Sequence, residues 1–239
     1  MKTLILAIQF LTRLPTPQVN DFQEQWLVES ARWFPLVGLL IGGLLVAIGW
    51  PAAHLNVWLS AWLMLLMGVL VTGGLHLDGL ADLSDALGAS HRDPERLLAV
   101  MRDPHLGSFG VLSLLIHTSG KLVLLMLIAR DQAWIALMLI PMWARWGIYH
   151  WQTLAPLSSG MAERFTWQQP KIARLCWGVG LIGLSVWFAP VLLVAPLIIG
   201  LYRVWLKQTL GGVSGDCLGA GVEITELALL AVVAVSLTI

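Results

Sequence analysis

Three aspartates, Asp78, Asp82 and Asp85, stand close together at the end of a long apolar run. Their spacing of i, i+4 and i+7 places the three carboxylates within about a 60° arc of a helix that turns ~100° per residue. Like charges at such short range repel, so each group resists ionisation unless a cation lies between them. Carboxylate oxygens suit hard cations, so the pattern predicts a Mg²⁺ site. The alternative is a solvated helix end that faces water beside the membrane.

A glycine-rich stretch near the C-terminus adds a fourth carboxylate, Asp216, within the loop predicted over residues 211–220. Gly211, Gly212 and Gly215 let backbone amides approach an anion closely, as phosphate-binding loops do. Asp216 can complete a metal shell or receive a proton. The alternative for this stretch is a flexible connection between two helices.

A third polar stretch, residues 101–110, contains Arg102 and Asp103. Arg102 can clamp a phosphate, and Asp103 can hold a metal ion or accept a proton. The alternative is a surface ion pair that precedes a helix cap.

Lys121 and Arg145 lie within apolar runs, where a charge is costly unless it meets a partner or a ligand. Both are therefore candidate substrate-binding residues. For Lys121 the alternative is a structural ion pair with Glu223 or Glu226. His76 precedes Asp78 by two residues and is predicted to point away from the carboxylate face, as a structural donor.

Membrane-spanning helices must position these residues. The chain is 58% hydrophobic and 12% charged, which is roughly half the charge of a soluble domain, and several apolar runs approach the ~20 residues that span a bilayer. We predict an all-α, polytopic helical membrane protein, with residues 1–239 forming a single integral-membrane transferase domain. Its net charge of zero gives no basic field for nucleic acid, and its lipid partner is the bilayer itself.

About seven membrane segments are predicted, with an additional short N-terminal helix over residues 3–14. The spans are predicted at residues 34–53, 57–77, 108–129 and 132–150, in two arms of 174–206, and at 222–239. Residues 86–107 and 151–173 are predicted to be polar loops. Whether identical chains associate into a homo-oligomer is left open by these patterns.

The run 174–206 decides the topology, because a single helix of that length would measure about 50 Å against a hydrocarbon core of ~30 Å. A hairpin broken near Pro190 places eleven basic residues on one side of the membrane and only Arg130 on the other, which predicts that the first side is cytoplasmic. The eleven are Lys2, Arg13, Arg32, Arg92, Arg96, Arg102, Arg164, Lys171, Arg174, Arg203 and Lys207. The aspartates and the three polar loops then meet at the cytoplasmic face.

Five segments, in the same order, resemble the cobalamin synthase family of adenosylcobinamide-GDP ribazoletransferases. They are Phe10–Pro15, Phe34–Gly38, Gly73–Asp85, Met101–Asp103 with Gly107 and Gly110, and Gly211–Asp216 with Gly219 and Ala220. The resemblance extends from residue 10 to about residue 226. The loop at residues 151–173 matches less well, since Ser159–Arg164 stands where the family pattern places a glycine near an arginine.

The resemblance implies a Mg²⁺-dependent enzyme of the bacterial inner membrane that acts late in cobalamin (vitamin B12) biosynthesis. Such an enzyme joins adenosylcobinamide-GDP to α-ribazole or its 5′-phosphate and releases GMP. It implies a metal-binding role for the aspartates at 78, 82 and 85, and functional roles for Arg102, Asp103 and Asp216. Asp85 or Asp103 would take the proton of the attacking hydroxyl.

Two other functions are alternatives that fit the sequence less well. A CDP-alcohol phosphotransferase-like lipid synthase performs similar chemistry, but its motif has an arginine where this chain has Asp82, and Gly88 is followed four residues later by Arg92 rather than by an aspartate. A cation transporter would use buried carboxylates near the bilayer midplane, whereas these acids are predicted to lie at one membrane face.

Overall fold

The computed structural model describes residues 1–19, 23–90, 93–157 and 171–237. Within these ranges the regular structure is helical, apart from one isolated parallel bridge between Pro156 and Val213. The helices are α1 (Lys2–Leu11), α2 (Glu24–Ser30), α3 (Phe34–Ala53), α4 (Val57–Thr72), α5 (Leu75–Ala89), α6 (Pro94–Val100), α7 (Ser108–Arg130), α8 (Trp134–Trp151), α9 (Lys171–Phe188), α10 (Ala195–Thr209) and α11 (Gly215–Ser236). Short 3₁₀ helices, Ala31–Trp33 and Pro190–Val194, precede α3 and α10. The all-α prediction is confirmed.

Five helical segments of the described chain are long and apolar enough to cross a bilayer, or six if α4 and α5 count as one broken span. The five are Glu24–Ala53, Ser108–Arg130, Lys171–Phe188, Pro190–Thr209 and Gly215–Ser236. A polytopic membrane protein is therefore confirmed, with slightly fewer clear spans than the seven predicted. Helix α8, predicted as a further span, falls outside this set because Arg145, His150 and its tryptophans make it less apolar.

The predicted span 57–77 is wrong at its C-terminal end, because the chain bends by 87° between α4 and α5. Gly73 and Gly74 form the bend with φ values of 63° and 73°, in the left-handed region that glycine enters without a steric penalty. Asn56 fixes the other end of α4, since its side chain accepts hydrogen bonds from the amides of Trp58 and Leu59. The three aspartates consequently share one helix, α5, as predicted.

The helix break predicted within residues 174–206 is present, while the passage of its two arms across the membrane in opposite directions stays a prediction. Helix α9 ends at Phe188, and Ala189 adopts φ −154° and ψ 71° before the 3₁₀ turn that begins at Pro190. Proline lacks the amide hydrogen that would continue the helical hydrogen bonds, so the helix breaks just before Pro190.

Two predicted loops contain more helix than expected. Residues 86–89 complete α5, and Asp93 caps α6 by accepting a hydrogen bond from the amide of Glu95 at 3.0 Å, with Pro94 at the first helical position. In the glycine-rich stretch, Ser214 caps α11, which begins at Gly215 and not at residue 222. Residues 158–170, which include Ser159–Arg164, and Arg92 lie outside the described residues.

Helix α8 lies at the centre of the bundle and buries Trp143, Tyr149 and Trp151 almost completely. Helix α3 approaches it closely through two glycines. A Cβ atom on Gly38 would lie 2.8 Å from Cα of Met142, and one on Gly42 would lie 2.8 Å from Cα of Met138. These glycines thus allow the two membrane helices to pack closely.

Candidate active site

Asp216 reaches the aspartate helix because α5 and α11 are in backbone contact. A Cβ atom built on Gly79 would lie 2.7 Å from the carbonyl oxygen of Asp216, and one on Gly219 would lie 3.3 Å from Cα of His76. The two contacts pair the helices in opposite directions, so α5 and α11 run antiparallel here. The juxtaposition of the glycine-rich segment with the aspartates, expected if both form one site, is present.

The carboxylates of this region interact through their charges. Asp82 lies within electrostatic reach of Asp78, Asp85 and Asp216, and each of the three raises the cost of ionising it. Such an all-oxygen set of donors suits a hard divalent cation. In this conformation, however, the part of the chain that the structure describes has no three acidic, histidine or cysteine side chains converging on one metal position. The Mg²⁺ site therefore stays a prediction.

Asp85 is the most firmly held of the predicted ligands. Its two carboxylate oxygens accept hydrogen bonds of 2.8 Å from the backbone amides of Gly107 and Gly110, and the residue is only 8% exposed. Asp85 thereby ties α5 to the N-terminus of α7, where amides lack helical partners. A carboxylate has about four lone-pair sites, so its metal and proton-transfer roles stay predictions beside this structural one.

Arg102 and Asp103 are exposed in the turn between α6 and α7. Asp103 accepts a hydrogen bond from the backbone amide of His105 at 3.0 Å. Its carboxylate also lies 2.6 Å from Nδ1 of the His105 ring. These bonds lower the pKa of Asp103. Among the described residues neither Arg102 nor Asp103 bonds to an α5 carboxylate, so their predicted roles stay predictions.

The glycines of the predicted phosphate loop differ in their surroundings. Gly211 has a φ of 74°, and Gly212 packs on the carbonyl of Ala155 so closely that a side chain there would overlap it. Val213 donates a hydrogen bond to that same carbonyl at 2.9 Å. By contrast, a Cβ atom on Gly215 would meet nothing within 4 Å. Gly211 likewise has open space beside it, and Gly215 is the one of the two that lines a cavity next to Asp78.

That free space is a cavity of about 570 Å³ between the end of α1 and the first turns of α5 and α11. Its wall includes Asp78, Gly215 and Asp216, together with Arg13 from the residues that follow α1. A cavity of this size lies in the usual range for small-molecule sites. In the sequence, Arg13 is one of the basic residues of the predicted cytoplasmic face and part of the family-like segment Phe10–Pro15, but nothing in its local pattern brings it to the aspartates.

Lys121 and Arg145 are paired with glutamates in the protein interior. Lys121 donates to Glu223 at 2.8 Å and to Glu226 at 2.7 Å, which confirms the structural alternative predicted for it. Arg145, 1% exposed, pairs with Glu226 and lies 3.4 Å from Nδ1 of the buried His76. Buried charges require such partners, so a substrate-binding role for either cation stays a prediction that competes with these pairs.

Comparisons with known proteins agree with this arrangement of motifs. The family model described as cobalamin-5-phosphate synthase matches residues 3–234. A Laribacter hongkongensis protein named adenosylcobinamide-GDP ribazoletransferase is 56% identical over 241 residues, with 99% of each chain covered. Proteins of the same name from Thiobacillus denitrificans and Novosphingobium aromaticivorans are 46% and 44% identical, over 100% and 99% of this chain and 97% of each relative. No solved structure matches the chain significantly. The chain belongs to the cobalamin-5-phosphate synthase family.

Proposed function

We propose that the protein is an adenosylcobinamide-GDP ribazoletransferase of cobalamin biosynthesis. The observation that carries the proposal is the match of nearly the whole chain to one family and to relatives of that name at up to 56% identity. The acidic cavity wall formed by α5 and α11 is suited to the diphosphate of such a substrate. The lipid synthase and the transporter are disfavoured, because the family match covers residues 3–234.

The reaction transfers the cobinamide-bearing phosphoryl group from the phosphate of GMP to a hydroxyl group. A hydroxyl oxygen of α-ribazole, or of its 5′-phosphate, forms a new bond to the phosphorus that carries cobinamide. The bond from that phosphorus to the bridging oxygen breaks, and the bridging oxygen leaves with GMP. The hydroxyl proton passes to a carboxylate, for which Asp85 and Asp103 are the two candidates. Positioning of the two substrates supplies much of the rate in such reactions.

Asp78, Asp82 and Asp216 are the residues that would hold Mg²⁺ in this scheme, because they contribute only oxygen donors and lie where α5 meets α11. When bound, the ion neutralises the charge that develops on the departing phosphate. Asp85 ties the same helix to the N-terminus of α7 through the amides of Gly107 and Gly110. Asn at position 78, 82 or 216 should therefore lower activity more than it lowers stability.

We also infer that the protein lies in the bacterial inner membrane with its active site at the cytoplasmic face. The apolar helices support the membrane location, and the eleven-to-one distribution of basic residues supports the orientation. Its nucleotide-activated substrate, like most phosphorylated metabolites, would then be reached from the cytoplasm.

The purified protein in detergent tests the proposal directly. Adenosylcobinamide-GDP is supplied with α-ribazole, with its 5′-phosphate, or alone, and GMP is measured together with the joined cobalamin product. We expect GMP only when a ribazole is present, in a one-to-one ratio with the product, and loss of both when EDTA removes divalent cations. GMP release without ribazole, or transfer only from CDP-activated alcohols with release of CMP, would reject this function.

A further inference from the structure

The Arg13 side chain is held in place by the bend between α4 and α5. The amide of Arg13 donates a 2.7 Å hydrogen bond to the carbonyl of Val71, near the end of α4. Its side chain lies across Gly73, where an added Cβ would be 2.5 Å from Cγ and 2.9 Å from Nε of the arginine. These contacts fix the backbone and the stem of Arg13 against the bend.

The same arginine shares a cavity with two carboxylates. Arg13, Asp78, Gly215 and Asp216 all line the space between α1, α5 and α11. In the ranges that the structure describes, the ion pairs involve other cations, and none joins Arg13 to a carboxylate. The cavity thus combines a guanidinium with acidic groups that can hold a cation. Metal-bound phosphates fit such a wall, because the acids bind the metal and the guanidinium binds free phosphate oxygens.

We propose that Arg13 binds the diphosphate of the nucleotide-activated substrate, and that the end of α1 is part of the active site. The inference rests on the proposed function and adds a residue to it. In this assignment the positively charged guanidinium of Arg13 contacts the negatively charged phosphate that leaves with GMP. Its guanidinium can donate two parallel hydrogen bonds to that phosphate, which a lysine ammonium cannot reproduce in the same geometry.

GMP and guanosine are the probes, and their binding to the full-length protein in detergent is measured by calorimetry in the presence of Mg²⁺. Arg13→Gln should weaken GMP binding by about 10- to 100-fold, the usual effect of losing a hydrogen bond to a charged group. Guanosine, which lacks the phosphate, should bind as it does to the wild type, and Arg13→Lys should be intermediate. Arg130→Gln is the matched control, because Arg130 is exposed and pairs with the neighbouring Asp131.

Two glycine variants separate the position of Arg13 from general damage. Gly73 and Gly74 have similar positive φ values, so alanine strains the backbone alike at both. Only the alanine at position 73 meets Arg13, since a Cβ on Gly74 has nothing within 4 Å. Gly73→Ala should therefore weaken GMP binding at least tenfold more than Gly74→Ala, at a similar thermal stability.

Unchanged GMP affinity in Arg13→Gln, equal loss of GMP and guanosine affinity, or equal effects of the two glycine variants would overturn the assignment. The proposed function is judged separately, by ribazole-dependent GMP release from the wild type. An active wild type whose Arg13→Gln variant binds GMP normally rejects only the role of Arg13. A wild type that binds GMP through Arg13 but transfers nothing to ribazole rejects only the reaction.

Discussion

Replacement of Gly79 by alanine tests whether the contact between α5 and α11 positions the active site. The added Cβ would lie 2.7 Å from the carbonyl oxygen of Asp216 and 2.9 Å from its Cα. Ordinary contact begins near 3.4 Å, so one helix must move by about 0.7 Å or more. Both obstructing atoms belong to the backbone, and a rotamer change cannot relieve the overlap. The movement therefore changes the separation of Asp216 from Asp78 and Asp82.

The expected effect on stability is small and the expected effect on catalysis is large. Overpacking typically costs about 1–3 kcal/mol, while alanine in a helix gains about 1 kcal/mol over glycine, so the net destabilisation should be about 0–2 kcal/mol. A misplacement near 1 Å can lower catalysis by about 100-fold. Gly79→Ala should consequently remain folded while the rate of its ribazole-dependent GMP release falls by about 10- to 100-fold.

Gly43→Ala is the matched control, because Gly43 lies within α3 and an added Cβ there meets nothing within 4 Å. That variant should be as active as the wild type and slightly more stable. Thermal unfolding in detergent and initial rates of GMP release are measured for both variants. A Gly79→Ala enzyme with wild-type kcat and KM would show that the helix contact does not set the catalytic geometry.

Asp85→Asn should lower the free energy of unfolding by about 1–3 kcal/mol, because the asparagine side chain can accept only one of the two backbone hydrogen bonds. Asp78→Asn is the comparison, which should unfold like the wild type and lose activity. Equal melting temperatures for the two variants would contradict the structural role of Asp85. Lys121→Met removes the lysine from two buried glutamates and leaves Arg145 as the paired cation of Glu226. It should cost about 3–5 kcal/mol. Adding Glu223→Gln should restore part of the melting temperature, and no recovery would mean that the pair is not a stabilising unit. Ser214→Cys, in a variant without the native cysteines, should resist a membrane-impermeant thiol reagent in intact cells and react in inverted vesicles; labelling from outside would refute the cytoplasmic orientation.

The parts of the fold that the sequence predicted well are those set by the bilayer and by single residues that break helices. The span at Phe34–Ala53 has the observed bounds, because a run of that length must cover the hydrocarbon core and Asn56 begins the next helix. The break before Pro190 follows from its missing amide hydrogen. The aspartates share α5 because their spacing already matches a helix.

The bend at Gly73 and Gly74 could not be predicted in the same way. Two glycines within an apolar run are also compatible with a continuous membrane helix, where small residues allow close packing. The difference lies in distant contacts, since Arg13 packs on Gly73 and α11 packs on Gly79. For the same reason the place of Arg13 in the cavity has no local signal, although its segment belonged to the pattern that resembled the family.

The interior charges explain how the cavity end of α5 is held. The cost of burying Lys121 and Arg145 is the same whether a glutamate or a substrate compensates it, so sequence alone left both alternatives open. In the structure the two cations share Glu226, which joins α7 and α8 to α11. Arg145 also lies beside His76, in the first turn of α5 just before Asp78. In the hydrocarbon interior no water can replace a lost partner, so the ion pairs do not separate readily. They therefore hold the start of α5 in the position set by the bend. We therefore expect the buried ion pairs to influence catalysis through the position of α5, whether or not either cation contacts the substrate.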